Sequence, residues 1–555
     1  MARLFLKAVK LPPHVLFREV VRKLRERYKT GALRKRALAG KLSLSDDAFR
    51  RALKGKGSLK GFLRRKREGG EGTLSLHGVR EAIEENFGEY KKGVVGYADE
   101  VCSHRFDLLG SGPVDLAAFL SARGEEDGSY LPWHWDFKSG YRWERETFYK
   151  DIRYGNVEGQ DVKVPWELSR FQHLFPLGQA YVLTGDEKYA GEFVREVDDW
   201  ITCNPSHLGV NWACTMDVGI RAANWLLAWP FFRESKVVTD AFARRFFKSI
   251  LQHGRFIRGN LEWSEVITSN HYLSNIAGLL SIALLVPELR ESRRWREFAV
   301  RELVSEMEKQ VYDDGMDFEA STCYHRLVLE LFFFSALLCR SHGIELPESF
   351  LSRLRGMFDV VLRTVKPNGR MPQIGDNDSG RFHIFCDRDS LDATYLLTFG
   401  ALFFDSPEYR VEGFGFAPEA LWLFGADAYE RWLSMPPLKM EELGSARLLD
   451  GGLYVMRWGG DYMIVSCGLN GQNDLGGHAH NDKLSFELCI DGREVIVDPG
   501  TYVYTPYPDE RNRFRGTASH NTVMIDGEEQ NRFTEGGVFG LHNDTGCRCL
   551  HWGED

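Results

Sequence analysis

Ten cysteines are scattered over 555 residues without one C-x-x-C pair, and Cys547 and Cys549, the two closest, have no further ligands beside them. Cys339 and Cys489 lie in apolar runs and read as small core residues. Nothing here demands disulfides, which suits a reducing compartment. The sequence also lacks an uninterrupted apolar run near the roughly 20 residues that a membrane span requires. At the N-terminus, Lys7 and Lys10 break the apolar stretch and no small-residue cleavage site follows. That makes a poor signal peptide, so a cytoplasmic chain is expected, with the periplasm as the alternative. No fibrous repeat, disordered composition or clear internal period is present.

Charge is unevenly spread. Residues 1–70 hold 22 Lys+Arg against 5 Asp+Glu, an excess of +17, so the overall net charge of -8 leaves about -25 on the remainder. Such an arm fits either an anionic partner or a solvated helical face, and the second is the expectation. The length suggests two or three domains. Residues 1–90 read as a basic helical arm ending in a Gly-rich linker from Arg64 to Gly72. An aromatic, irregular lead-in around Trp133-His134-Trp135 runs to about 160.

From Pro165 to about Trp432 the spacing predicts helix after helix. The first is a continuous helix from Trp166 to Tyr181, followed by Glu187–Cys203, Asp217–Phe232, Thr239–Gly259, His271–Leu285, Glu291–Tyr312, Ser321–His342 and Ser349–Val365. Short Gly, Pro and Asn/Asp breaks pair them as helical hairpins, which stack into an open solenoid or an α/α toroid. After Pro436-Pro437 the texture turns to strands, Gly452–Trp458 and Tyr462–Cys467. The fold class is therefore multidomain α+β, with a toroid over residues 91–435 and an antiparallel β-sandwich over 445–555. The strands in hand fall short of a full sandwich, so a truncated version of a longer protein is expected.

One stretch concentrates the chemistry. Gly477-His478-Ala479-His480-Asn481-Asp482 precedes two strand-like runs joined by Asp491-Gly492, a hairpin signature. The second run ends in Asp498-Pro499-Gly500, and His520 stands just before the apolar Val523-Met524-Ile525, read as a neighbouring strand. Two or three histidines with a carboxylate form a set that binds zinc, while histidines that bond backbone would look the same at this level. In the helical region, Ser269-Asn270-His271 starts an apolar helix, where Ser269 or Asn270 fits equally as an N-cap. Tyr324 lies one turn into another helix and fits equally as a core phenol.

Three ordered motifs carry a resemblance: Gly-His-Ala-His-Asn-Asp from Gly477, Asp-Pro-Gly-Thr-Tyr from Asp498, and Arg511-Asn512 through Arg515-Gly516-Thr517-Ala518-Ser519-His520-Asn521-Thr522. They resemble the C-terminal domain of the heparinase II/III family of polysaccharide lyases. The likeness implies that His478 serves catalysis and that His480, Asp498 and His520 hold one structural zinc. It extends into the helices, where Asn270, His271 and Tyr324 match the family's catalytic pair and tyrosine in type, order and spacing. Trp166 to Arg170 and Trp212 to Arg221 look like its toroid helices, and Trp166, Arg170, Trp212, Glu319 and Arg515 become candidate substrate contacts. Tyr507 is a second candidate phenol.

The implied reaction is β-elimination on the uronic acid of an acidic polysaccharide, a carbon–oxygen lyase activity. It needs the uronate carboxylate neutralised, the proton on C5 removed and the departing O4 protonated. Asn270 with His271 suits the first task. Tyr324 suits the acid and, for one C5 stereochemistry, the base if a neighbour lowers its pKa; His478 is the other base. Neither nucleic acid nor a membrane is an expected partner, and the oligomeric state is open. Two rivals stand beside this reading. A toroid glycoside hydrolase would use carboxylates among Glu319, Asp376 and Asp378. In a non-catalytic glycan-binding protein the presence of Asn270, Tyr324 and His478 together would be coincidental.

Overall fold

The computed structural model describes residues 28–553 except 56–57, 69–73, 125–128 and 156, so residues 1–27 of the basic arm lie outside the described residues. Elsewhere on the arm, cations face acids of the body: Arg34 meets Asp151 at 2.9 Å and Lys66 meets Glu288 at 2.9 Å. Helix α1 (Leu59–Glu68) buries Phe62 and Leu63 and sets Phe62 edge-on to Phe247 at 5.3 Å. The tract from Arg64 expected as a linker is therefore helical through Glu68, because it continues a helix that Phe62 and Leu63 anchor in the core. Helix α2 (Gly88–Cys102) spans the expected boundary at residue 90 and buries Val94, Ala98 and Val101.

The helical body then runs α3 (Lys163–Ser169), α4 (Leu174–Thr184), α5 (Glu187–Cys203), α6 (Thr215–Phe232), α7 (Asp240–Gly259) and α8 (Asn270–Leu285). It continues with α9 (Ser292–Gln310), α10 (Thr322–Ser341), α11 (Glu348–Thr364) and α12 (Thr394–Phe404). Phe171 adopts a left-handed conformation (φ 59) and splits the expected Trp166–Tyr181 helix into α3 and α4. Thr239 and Ser321 cap α7 and α10 by accepting the amides of Phe242 and Tyr324. By contrast, Ser269 makes no capping bond and Asn270 is already helical.

Neighbouring helices pack in sequence, α4 on α5 and α6, α6 on α8, and α8 on α9 and α10. The α6–α8 crossing is unusually close. A Cβ on Gly219 would meet the Ser274 carbonyl oxygen at 2.6 Å, and one on Gly278 would meet Gly219 Cα at 2.5 Å. Glycine at both positions lets the two backbones touch. Helix α10 is long and apolar enough by composition to pass for a membrane span, although Arg326 and Glu330 interrupt its apolar residues. Its whole apolar window is buried, however, so neighbouring helices cover that surface.

The β-region forms one antiparallel sheet in the order β1 (Ala446–Leu448), β2 (Leu453–Trp458), β3 (Asp461–Ser466), β4 (Phe486–Ile490) and β5 (Arg493–Ile496). Its β4–β5 turn holds Asp491 and Gly492 at φ 47 and 74, the pair of positive angles that a tight two-residue hairpin requires. The sheet packs Leu453, Val455, Tyr462 and Ile464 on Met316, Val360 and Ile374 of the helical body. Buried Lys366 adds a clamp, 2.5 Å from both Glu487 and Glu494. The expected strand at Val523–Ile525 does not form: Ile525 pairs in one isolated bridge to Glu528, and Val523 and Ile525 face solvent. With no sheet edge taking up its backbone groups, that stretch stays irregular.

Candidate active site

Local structure brings three of the expected residues together across the toroid and the β-region. Tyr324 projects from the first turn of α10, which Ser321 caps while donating its hydroxyl to the Asp376 carbonyl at 2.5 Å. His478 comes from the loop between β3 and β4, and the Asp376 amide donates to its carbonyl at 2.9 Å. The two rings stack with centroids 3.6 Å apart. Asn270 opens α8 and reaches the same place through Glu319. Its backbone N–H and side-chain NH2 both donate to the Glu319 carboxylate, at 2.8 to 3.1 Å, and His478 Nε2 lies 3.3 Å from that carboxylate.

Glu319 was expected to touch substrate, but it is fully buried and is also bonded by Gln472. The amide donors of Asn270 are thereby occupied, which leaves its buried Oδ1 without a hydrogen-bond partner among the described residues. The expectation that this amide donates to a uronate is not met in this arrangement; it offers an acceptor. His271 faces Glu262, with Nδ1 3.2 Å from Oε1. Desolvation works against the His271 imidazolium, yet the Glu262 carboxylate outweighs it and lifts the pKa above the usual value.

Tyr324 is 5% exposed and donates to Asp378 at 3.0 Å. Burial, followed by the carboxylates of Asp378 and Asp376, pushes its pKa well above 10, so the expected lowering by a neighbour does not occur. The phenol keeps its proton and suits an acid. Its companion is Tyr504, whose hydroxyl lies 3.3 Å away, beneath Lys163 at 4.2 Å from the ring. Lys163 pairs with Asp378 in turn. Tyr507, the phenol singled out in sequence, is 43% exposed and stands where α13 (Pro508–Phe514) begins. Both phenols line a cleft of about 400 Å³ with Lys138, Asp161, Lys163 and Asp378.

Asp376 is the hub that sequence reasoning undervalued. One oxygen meets His480 Nε2 at 2.8 Å and Arg511 at 2.5 Å, and the other meets His478 Nδ1 at 2.9 Å and Arg511 at 2.7 Å. Burial opposes its charge, but Arg511 and the two histidines hold the carboxyl well below its ordinary range. In the sequence it stands in a polar run, Gly375 to Arg381, and enters only as one of the carboxylates of the rival hydrolase.

His480, Asp498 and His520 converge, with one donor atom of each within 4.8 Å of the others, and can hold a metal ion. His480 Nδ1 and His520 Nε2 are buried without protein partners among the described residues, which fits such a group.

The other expected substrate contacts lie inside the protein. Trp166 donates to the Val210 carbonyl, Arg170 to Asp217 and Trp212 to the Asn204 carbonyl. Arg515 is buried over Phe533 and bonds Asn512. The polar groups of Trp166 and Trp212 and Nε of Arg170 and Arg515 are taken up inside the protein, while both terminal nitrogens of Arg515 are buried without a hydrogen-bond partner among the described residues.

Residues 123–404 match the model of the heparinase II/III N-terminus and residues 440–547 that of the heparinase II/III-like C-terminal domain. The chain belongs to the heparinase II/III family. Among the family's characterised members, a heparin-sulfate lyase of Pedobacter heparinus is 27% identical over 391 residues, 68% of this chain and 54% of the relative. One from Bacteroides stercoris is 25% identical over 409 residues, 68% of this chain and 55% of the relative. The chain thus spans about half the length of these curated relatives. The solved structure of heparinase III matches with a TM-score of 0.61 at 20% identity, over 86% of this chain and 69% of that one. The likeness shows the fold, an α/α toroid followed by an antiparallel β-sandwich, of which the described residues supply one five-stranded sheet.

Proposed function

We propose that this heparinase II/III chain cleaves a uronic-acid-containing acidic polysaccharide by β-elimination. The observation that carries the reading is the stack of Tyr324 on His478 at 3.6 Å, which joins two proton-transfer groups at the seam between toroid and β-region. In this reading His478 takes the C5 proton, the electrons form the C4–C5 double bond, the C4–O4 bond breaks, and Tyr324 gives its proton to O4. His271 supplies positive charge near the uronate carboxyl, and Asn270, oriented by Glu319, accepts a hydrogen bond through Oδ1. The names of the relatives support a heparin-sulfate-like polymer as substrate. Zinc is the metal that suits His480, Asp498 and His520, where it would lock the loop presenting His478. At least one zinc per chain in elemental analysis of protein purified without metal-affinity resin is the expected result, with less zinc held by His480→Ala, and zinc-free wild-type protein refutes that assignment.

A hydrolase is less favoured by the geometry. Glu319 and Asp376 are fully buried, and Asp378, the one of the three that lines the cleft, is paired with Lys163, so no two of these carboxylates flank the cleft as a hydrolytic pair must. Incubation with a panel of uronate polymers separates the readings. New ultraviolet-absorbing unsaturated ends are expected. New reducing ends without that absorbance identify a hydrolase, and binding without cleavage identifies a glycan-binding protein.

A further inference from the structure

A second group of metal-ligating side chains stands apart from the β-region histidines. Cys214 precedes α6, Glu262 lies in the loop after α7, and His271 is in the first turn of α8. The glycine contact between α6 and α8 brings the N-terminal ends of these helices close enough for Cys214 and His271 to meet. Their donor atoms form a triangle: Sγ to Oε1 of Glu262 is 3.7 Å, Sγ to Nδ1 of His271 is 3.8 Å, and Oε1 to Nδ1 is 3.2 Å. A tetrahedral zinc, with sulfur at ~2.3 Å and nitrogen and oxygen at ~2.0–2.1 Å, sets separations of about 3.6 Å to sulfur and about 3.3 Å between nitrogen and oxygen. The observed triangle has those proportions without any movement of the side chains.

The surroundings also orient the ligands. Oε2 of Glu262 accepts the Met216 amide at 2.8 Å and the Asn275 side-chain NH2 at 3.0 Å, while the Glu262 amide donates to Asn275 Oδ1 at 2.8 Å. Only Oε1 is left facing the thiol and the imidazole, the kind of support that fixes a ligating carboxylate. Cys214 is buried, whereas the His271 side chain is 46% exposed, so the triangle closes on the protein side and opens on the other. Three protein ligands with an open fourth position is the pattern of a zinc site that accepts water or substrate.

We infer that Cys214, Glu262 and His271 form a site for one thiophilic divalent cation of the zinc class, distinct from the group at His480, Asp498 and His520. Thiolate, imidazole and carboxylate together favour such an ion over magnesium or calcium, which take all-oxygen sets. The thiol proton leaves to solvent as the metal–sulfur bond forms. An ion held there stands one residue from Asn270. The inference shares His271 with the proposed reaction but does not depend on it: a cation on Nδ1 takes the place of the imidazolium proton, so positive charge beside the uronate carboxyl comes from the metal when it is bound.

Cobalt(II) reports the site directly, because a thiolate ligand gives a near-ultraviolet charge-transfer band that a His/Asp set cannot give. Metal-free full-length protein titrated with Co2+ is expected to develop that band, saturating by two equivalents because the His480 group can take up one, and to lose it when Zn2+ is added. The band is expected to vanish in Cys214→Ser and in His271→Ala and to persist in His480→Ala, with circular dichroism confirming that each variant is folded. His271 is exposed enough for its variant to fold if the cysteine variant does not. Wild-type protein that binds cobalt without the band overturns the inference, as does a band that survives Cys214→Ser or His271→Ala. The band is read without substrate and lyase activity without cobalt, so failure of the site and failure of the proposed function are separately visible.

Discussion

Tyr324 and Asp376 show how much of the site depends on single atoms. Removing the Tyr324 hydroxyl takes away one proton and little volume, and the ring can still stack on His478. Tyr324→Phe is therefore expected to keep its melting temperature within a few degrees while losing general acid help, roughly 10²–10⁴-fold in turnover. Near-normal appearance of unsaturated ends would overturn the assignment. Asp376 is a different case, since its charge answers the fully buried Arg511 guanidinium. Asp376→Asn keeps the shape and removes that charge, leaving a buried cation uncompensated. A loss of about 3–5 kcal/mol in urea unfolding is expected, with turnover falling because His478 loses the acceptor at its Nδ1.

At the scale of elements, the α6–α8 crossing sets where Asn270 and His271 begin. Gly219→Ala places a methyl 2.6 Å from the Ser274 carbonyl oxygen, which belongs to backbone and cannot swing aside. The helices must separate, and a loss of at least about 1–3 kcal/mol is expected from overpacking, read as a lower denaturation midpoint. An unchanged midpoint would show that the crossing tolerates more space than its geometry implies. The β4–β5 hairpin is more self-sufficient, because Asp491 and Gly492 adopt the turn conformation their own side chains permit. Residues 523–525 lack that independence: an apolar run becomes a strand only where another edge accepts its hydrogen bonds.

Across the whole molecule, several histidines are buried as neutral groups inside the toroid. His325 Nδ1 accepts the Asp317 amide at 3.2 Å and its Nε2 faces the Met357 carbonyl at 3.0 Å, so a second proton would break the first bond. Burial lowers its pKa to about 4. An unfolded histidine, near 6.5, binds a proton where the folded one does not. Its contribution is thus present above about pH 6.5 and is lost as pH falls toward about 4, on the order of 3 kcal/mol. Glu167, lifted by burial to about 7, acts in the opposite sense over an overlapping range. The difference between wild type and His325→Asn isolates the first effect: the variant is expected to lose less stability than wild type between pH 6.5 and 4. Equal slopes in denaturant titrations would refute it.

Helix after helix was legible in the chain, down to Glu187–Cys203 with the observed ends, because amphipathic spacing acts within a few residues. So were the Asp491-Gly492 turn and the motifs that place His478, His480, Asp498 and His520, whose types survive in linear order. Partner choice was not legible. Glu319 looks like a substrate contact until the fold buries it against Asn270 and His478, and Arg511 looks like one basic residue among several until it meets Asp376, 135 positions away. Tyr504 and Tyr507 lie three residues apart, and only the packing of their loop against α10 puts one beside Tyr324 and the other in the open. Residue types and local geometry are set by neighbours along the chain, whereas burial, charge pairing and pKa depend on what distant segments bring to the same point, which tertiary structure alone decides.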